Sequence, residues 1–249
     1  MTEQFLKIDE QTPVTEIVNG DYRTADVLLK YNIDFCCGGR WPLQVACEAR
    51  GVSTDMVIQD LETATRRILI SPTLNFNSWP IDFLTDYLVY VHHAYMKEAL
   101  PSIHDHLTKF VAGHRKKFPY LDELQAHFMQ LYRKMPSHLQ QEEEVLFPYI
   151  KRINRAFNGK EPYAELLVRT LRKPIAARME EEHQQTEELL GNFRRLTSNY
   201  STPEDACVSH RVAFLKLQEL DQDLVQHMRL ENEILFPRAI AIENTLLGK

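Results

Sequence analysis

Four long stretches of the chain repeat apolar residues at three- and four-residue steps, the period that gathers side chains on one face of an α-helix. After Ser78, a plausible N-cap ahead of Pro80, the residues Ile81, Leu84, Leu88, Val91 and Tyr95 mark helix A. A second helix is predicted from about Tyr120 to Ile150, its buried stripe being Leu121, Leu124, Phe128, Leu131, Val145, Leu146 and Tyr149; Pro136 inside it predicts a kink. The third begins near Pro174, with Ala176, Met179, His183, Thr186, Leu190 and Phe193 on one face, so that a histidine points inward. The fourth opens at Thr202-Pro203-Glu204-Asp205, an N-cap, an N1 proline and an acidic first turn, and runs to about Phe236. Four long helices with short or moderate connections read as an antiparallel four-helix bundle.

The first 70 residues follow a different rhythm. Short helices are predicted from Pro13, from Tyr22 to about Tyr31 and from Pro42 to Ala49, with the turn Cys36-Cys37-Gly38-Gly39 between the last two. Polar residues and two prolines then interrupt the periodicity between Ile70 and Pro80. The expected organisation is a small N-terminal helical domain over 1–70, a linker over 71–79 and the bundle over 80–249. With only 8 glycines in 249 residues and many strong helix formers, the fold class is all-α.

Charge and cysteine usage narrow the functional classes. A net charge of −6 argues against a nucleic-acid surface, which needs clustered Lys and Arg. The N-terminal Met1-Thr-Glu-Gln-Phe-Leu-Lys lacks the basic and apolar regions of a signal peptide, and no apolar run approaches a membrane span, so no membrane association and a cytoplasmic location are expected. The 4 cysteines Cys36, Cys37, Cys47 and Cys207 are too few and too unevenly placed for a disulfide framework and read as free thiols.

The chemistry lies in a duplication. His138-Leu-Gln-Gln-Glu142-Glu-Glu-Val-Leu-Phe147-Pro148 and His227-Met-Arg-Leu-Glu231-Asn-Glu-Ile-Leu-Phe236-Pro237 are two copies of one pattern, each with a matching Phe-Pro stop. A four-residue step brings each His and its Glu one turn apart on the same face, and the flanking apolar residues aim that face at the core. A single such pair on a surface is an ordinary i, i+4 contact. Two pairs converging in a bundle core are costly unless each group finds a partner, and two metal ions would supply it. If Glu142 and Glu231 bridge the metals and four histidines cap the ends, each ion receives two imidazole nitrogens and two carboxylate oxygens; an oxo or hydroxo bridge then leaves a position open for a small molecule. That donor mix suits iron better than calcium, magnesium or zinc. His183 and a helix A histidine, His92 or His93, are the further candidates. Glu143, Glu144 and Glu233 read as solvated face, and His104, His106, His127 and His210 have no ligand spacing.

With these residues in view the chain resembles the Repair of Iron Centers family, hemerythrin-like di-iron proteins whose N-terminal domain carries a Cys-Cys-Gly-Gly motif. The resemblance spans nearly the whole length. It is carried by Tyr31-Asn-Ile-Asp-Phe-Cys-Cys-Gly-Gly39, the spacing from His93 to Leu100-Pro101, both His/Glu blocks and Met179-Glu-Glu-Glu-His183. It implies terminal ligands His93, His138, His183 and His227, bridging ligands Glu142 and Glu231, and two iron ions per chain. It implies repair of iron-sulfur clusters damaged by nitric oxide or oxidants, by iron donation or nitric oxide removal, in a stress-response protein rather than a standard metabolic enzyme. Its expected partners are damaged iron-sulfur proteins and nitric oxide or oxygen; a homodimer stays open. A hemerythrin-like module that binds or senses oxygen or nitric oxide is the alternative.

Two assignments divide residue pattern from motif. Periodicity favours His92 on helix A, whereas the motif spacing selects His93. His114 falls where the family can carry another histidine but has no helical partner in the sequence, and is left outside the ligand set. For Cys36 and Cys37, adjacent positions point different ways and do not chelate one ion alone. The turn, with Arg40 close by, could lower a thiol pKa, and the resemblance favours redox or iron handling over simple packing. Cys47 and Cys207 are expected to be inert.

Overall fold

The computed structural model describes residues 8–36, 39–66, 74–171 and 175–248. The described residues are predominantly helical, and the architecture is the antiparallel four-helix bundle with a small helical unit ahead of it.

That unit comprises α1 (Val14–Gly20), α2 (Thr24–Lys30), α3 (Leu43–Arg50) and α4 (Thr54–Thr65). α3 ends on Gly51, whose φ of 67° places it in the left-handed region that a glycine enters without a Cβ penalty. α4 was not anticipated from the pattern. Only Val57 and Leu61 of its residues are buried, too sparse a stripe to read, although Ser53 caps it through the Met56 N–H.

The first bundle helix is continuous through α5 (Ile81–Tyr87), a π-helical turn at Leu88–His93 and α6 (Ala94–His114). The second joins α7 (Tyr120–Gln141), a π-helical turn at Glu142–Leu146 and α8 (Phe147–Asn158); a short helix, α9 (Ala164–Leu171), follows it. The third is α10 (Ile175–Leu196). The fourth joins α11 (Val208–Arg229), a π-helical turn at Leu230–Leu235 and α12 (Phe236–Leu246). α6 packs on α7 and α11, α10 on α7 and α11, and α8 on α12 and α5.

The π-helical turns explain several departures from the sequence reading. Phe147-Pro148 and Phe236-Pro237 do not stop their helices; each proline lies in the opening turn of a helix that continues, α8 or α12. A proline removes its own N–H and crowds the carbonyl four residues back, and the wider turn just before it relieves that conflict. The extra residue also shifts the helical phase. Val91 and Val145, expected in the buried stripes, are therefore 44% exposed. α7 itself runs through Pro136. The fourth helix starts later than predicted, with Cys207 at its N-cap, because Pro203 to Ala206 closes a turn through the Ala206 N–H and the Pro203 carbonyl. Pro174 lies outside the described residues, as do the side chains of Ala176 and Met179, while His183, Thr186, Leu190 and Phe193 are buried as expected.

Two apolar cores fill the bundle. One contains Met96, Leu107, Phe110, Phe128, Leu139, Phe193, Leu224 and Met228, the other Leu84, Leu88, Leu146, Phe147, Ile150, Leu230, Leu235 and Phe236. At about 1.5–3 kcal/mol per buried large side chain, these cores supply the driving force that tolerates a polar layer. Along each continuous helix the layer falls where one core gives way to the other: His93 between Leu88 and Met96, Glu142 between Leu139 and Leu146.

The N-terminal helices form a third core that takes in Val208 and Val212 of α11. A polar clamp reinforces the contact. Asp26 on α2 accepts hydrogen bonds from Ser102 (2.7 Å) and Lys216 Nζ (2.6 Å), and pairs with His106 Nε2 (2.8 Å). His106, without a ligand spacing in the sequence, thus has a docking role.

Candidate metal centre

The three π-helical turns carry His93, Glu142 and Glu231 into the middle of the bundle. Departures from α-helical pairing of this kind occur often at functional sites, where they re-aim side chains. Glu142 and Glu231 are both 0% exposed. Ligand atoms of His93, Glu142 and His227 lie within 4.8 Å of one another, and so do those of His138, Glu142 and His183. Glu142 belongs to both groups. Its Oε1 stands 3.2 Å from His138 Nε2 and its Oε2 3.4 Å from His93 Nε2 and 3.9 Å from His227 Nε2. Glu231 Oε2 stands 3.3 Å from His183 Nε2 and 3.6 Å from His227 Nδ1. All six residues singled out in the sequence thus converge on one layer.

His92 is also buried, but its Nδ1 pairs with Asp223 (2.8 Å) rather than with the Glu142 group. His93 is the helix A histidine that reaches that group. The motif spacing, not the centre of the apolar stripe, marks it, because the π-helical turn displaces the phase on which periodicity relies.

The donor set meets the requirements of a cation site. Both oxygens of Glu142, both oxygens of Glu231 and Nε2 of His183 are buried with no hydrogen-bond donor or acceptor matched to them. Such groups cost of order 1–3 kcal/mol each when unsatisfied, and more when charged. His93 Nε2 and His227 Nε2 face each other at 3.0 Å. Since His93 Nδ1 donates to the Glu143 carboxylate at 2.8 Å, a neutral His93 directs the lone pair of Nε2 into the layer. Imidazole nitrogens and carboxylate oxygens with these empty valences suit a transition metal.

Electrostatics in the layer are strongly polarised. Burial opposes the Glu142 anion, but the neighbouring His138 and His93 imidazoles outweigh it and hold its pKa below the usual carboxylate range. Burial and the neighbouring Glu142 push Glu231 well above that range. Burial depresses His227 strongly and His183 as well, keeping them neutral and able to donate lone pairs. Burial also opposes protonation of His138, but Glu142 and Glu182 outweigh it and raise its pKa.

Outer partners orient the imidazoles, and these escaped the sequence reading. His138 Nδ1 donates to Glu182 at 2.7 Å, and His183 Nδ1 to Asn232 at 2.9 Å. Glu143, expected on the solvated face, is instead the acceptor for His93, held from outside by Lys97 Nζ at 2.7 Å. A signal was present: Glu143 and Asn232 occupy the same position of the two repeats, one residue after Glu142 and Glu231. Each reaches a histidine on another helix, which spacing along one helix cannot reveal. Glu233, by contrast, pairs with Arg229 at the surface, as expected.

The cysteines lie elsewhere. Cys36 is half-buried, its N–H bonded to Asp34 Oδ1 at 2.8 Å, while Cys37 and Gly38 fall outside the described residues. Gly39 is a steric requirement: a Cβ there would sit 2.5 Å from the Phe35 carbonyl oxygen. Cys36 shares a cleft with His114 at the end of α6 opposite to His93, roughly 30 Å away by helical rise. Cys47 is buried, and burial raises its pKa. Cys207 is half-buried, with His114 Nε2 3.3 Å from its Sγ.

Comparison with known proteins agrees with a cation-binding helical bundle. Residues 10–65 match a family described as a domain of unknown function, DUF542, or ScdA_N. The iron-sulfur cluster repair protein YtfE of Escherichia coli O81 (strain ED1a) is 29% identical over 231 residues, covering 93% of this chain and 97% of the relative. Proteins of the same name from Escherichia coli O1:K1 / APEC and from Escherichia fergusonii are 28% identical with the same coverage. Residues 85–239 match the hemerythrin HHE cation binding domain, and they contain every histidine and glutamate of the layer; the chain belongs to the hemerythrin HHE family, in the form that carries an ScdA_N segment ahead of the bundle.

Proposed function

We propose that the protein repairs iron-sulfur clusters damaged by nitric oxide or oxidative stress, using two iron ions held in the bundle. The observation that carries this reading is the pair of three-residue groups sharing Glu142. The relatives' printed name, iron-sulfur cluster repair protein, supplies the purpose.

In this reading His93, Glu142 and His227 would hold one ion and His138, Glu142 and His183 the other, with Glu231 beside His183 and His227 as a further carboxylate donor. Bound iron would supply a redox couple and affinity for a diatomic ligand. The chain's own residues do the rest. Glu143, Glu182 and Asn232 fix the Nδ1 protons of three histidines and so hold each Nε2 lone pair toward the layer. The two apolar cores exclude water from either side. Glu231, whose environment favours its protonated form, releases that proton as a cation takes its place. The domains are 1–70, carrying Cys36 and Cys37 for redox or iron handling, and 80–249, joined by 71–79. Among the described residues no helix is long and apolar enough to cross a membrane.

The test is iron content followed by single-turnover repair. Purified protein should hold about two irons per chain, and Glu142→Ala or Glu231→Ala should lose most of it. Iron near zero after anaerobic reconstitution overturns the site. With an isotopically labelled centre, label found in the repaired cluster indicates iron donation; label retained by the protein, with nitric oxide captured, indicates removal.

A further inference from the structure

Three residues that the iron layer does not use meet where the N-terminal helices rest on the bundle. Cys36 follows α2, His114 ends α6 and Cys207 caps α11, so 93 residues separate the last two in sequence. Cys36 lines one cleft with His114 and with Ser209, two residues beyond Cys207, and lies near enough to Cys207 to act on its thiol electrostatically. His114 Nδ1 is bonded to the Phe110 carbonyl oxygen at 3.0 Å. A carbonyl only accepts, so Nδ1 carries the proton and Nε2 presents its lone pair 3.3 Å from Cys207 Sγ. The Cys207 S–H therefore donates to His114, the arrangement that activates a thiol through an adjacent base. Cys36 and His114 also line a cleft of about 750 Å³, with Lys109 and Arg50 at its wall, which admits a small anionic molecule.

We propose that Cys36 and Cys207 are a redox-active dithiol, with His114 as its base, that reacts with low-molecular-weight disulfides. His114 Nε2 takes the Cys207 proton, and the thiolate attacks one sulfur of RS–SR. The S–S bond of the reagent breaks, and RS⁻ leaves with the proton from His114 as RSH. Cys36, after losing its proton to solvent, attacks the Cys207 sulfur of the mixed disulfide, and the second RS⁻ leaves and is protonated. Two protein thiols are oxidised to one disulfide, and RS–SR is reduced to two RSH. The product ties the N-terminal helices covalently to the first turn of α11. Burial and the nearby Cys36 raise the Cys207 pKa, which is why a base is needed, while the backbone N–H groups of Ser209 and His210 partly oppose that rise.

The inference stands apart from the iron reading, because its test reads disulfide connectivity rather than repair. Full-length, iron-loaded protein is exposed to glutathione disulfide, quenched by alkylation and mapped as non-reduced peptides. The expected product joins Cys36 to Cys207, and it persists in Cys37→Ser. Cys36→Ser should instead retain glutathione on Cys207, and His114→Asn should slow closure by about tenfold or more with iron content unchanged. A Cys36–Cys37 bond in the wild type, Cys207 alkylated as a free thiol throughout, or an unaltered rate in His114→Asn overturns the proposal.

Discussion

Removing the Glu143 carboxylate should weaken metal binding more than it weakens the fold. Glu143 Oε1 accepts from His93 Nδ1 at 2.8 Å, and the same carboxylate is held by Lys97 Nζ at 2.7 and 2.9 Å. With the acceptor gone, His93 can rotate or change tautomer, and its Nε2 no longer faces the layer as a fixed lone pair. Loss of such an outer partner typically costs about 10–100-fold in metal affinity, or about 1.4–2.7 kcal/mol. Glu143→Gln keeps a hydrogen-bond acceptor but loses its charge. Charged hydrogen bonds exceed neutral ones by about 1 kcal/mol, so this variant should lose only about fivefold. Asn232, already a neutral acceptor for His183 at 2.9 Å, should lie near the lower end of the range when replaced by Ala. Glu143 is partly exposed and belongs to neither apolar core, and without metal His93 can change tautomer and turn its N–H to Glu142, 3.4 Å from Nε2, so the unfolding free energy of the metal-free protein should fall by less than about 1 kcal/mol. Competitive titration of cobalt(II) against a chelator, followed by its visible absorption, gives the affinity; urea unfolding of the metal-free variants gives the control. Wild-type cobalt affinity in Glu143→Ala refutes the orienting role. An equal loss of stability without metal would reduce it to packing.

Other outcomes follow from the same structure. Asp26 is held well below its ordinary pKa: burial opposes its anion, but His106 and Lys216 outweigh it. A depressed acid stabilises the fold above its unfolded pKa and loses that contribution as pH falls. The stability deficit of Asp26→Asn should therefore be full at pH 6 and shrink below about pH 4, measured by urea unfolding at both ends of that window; a deficit that does not change with pH contradicts the clamp. Pro148→Ala or Pro237→Ala restores a backbone N–H and lets the turn at Glu142 or Glu231 tighten toward α-helical pairing. Cobalt affinity should fall by about tenfold, even as helix propensity improves by up to about 3 kcal/mol. Unchanged affinity would show that proline does not set the turn.

The sequence made the bundle legible because its apolar period is long and repeated, and the layer legible because His and Glu recur one turn apart. What it concealed has two physical sources. Widened turns break the constant angular step on which pattern reading depends. That is why Val145 faces solvent and His92 occupies the stripe while His93 reaches Glu142. Contacts across helices leave no spacing along a chain, so Glu182, Asn232, Asp26 and the Cys207–His114 pair stayed hidden. α4 escaped for a simpler reason: it buries Val57 and Leu61 against neighbours far away in sequence and carries a mostly polar surface of its own.

The polar layer between the two apolar cores also bears on how the molecule comes apart. A continuous core transmits packing from one end of a bundle to the other, so that it melts as a unit. Here the side chains joining the halves are carboxylates and imidazoles, several of them without a matched hydrogen bond, which an ion would link. Metal therefore acts as the fastener of a two-part shaft. With it in place, amide exchange should report one cooperative block; without it, the half around Leu84, Ile150 and Phe236 can open while the half around Phe128, Phe193 and Leu217 stays closed. A protein built this way would surrender its ions through a partial opening at one end, leaving the docked N-terminal helices undisturbed at the other.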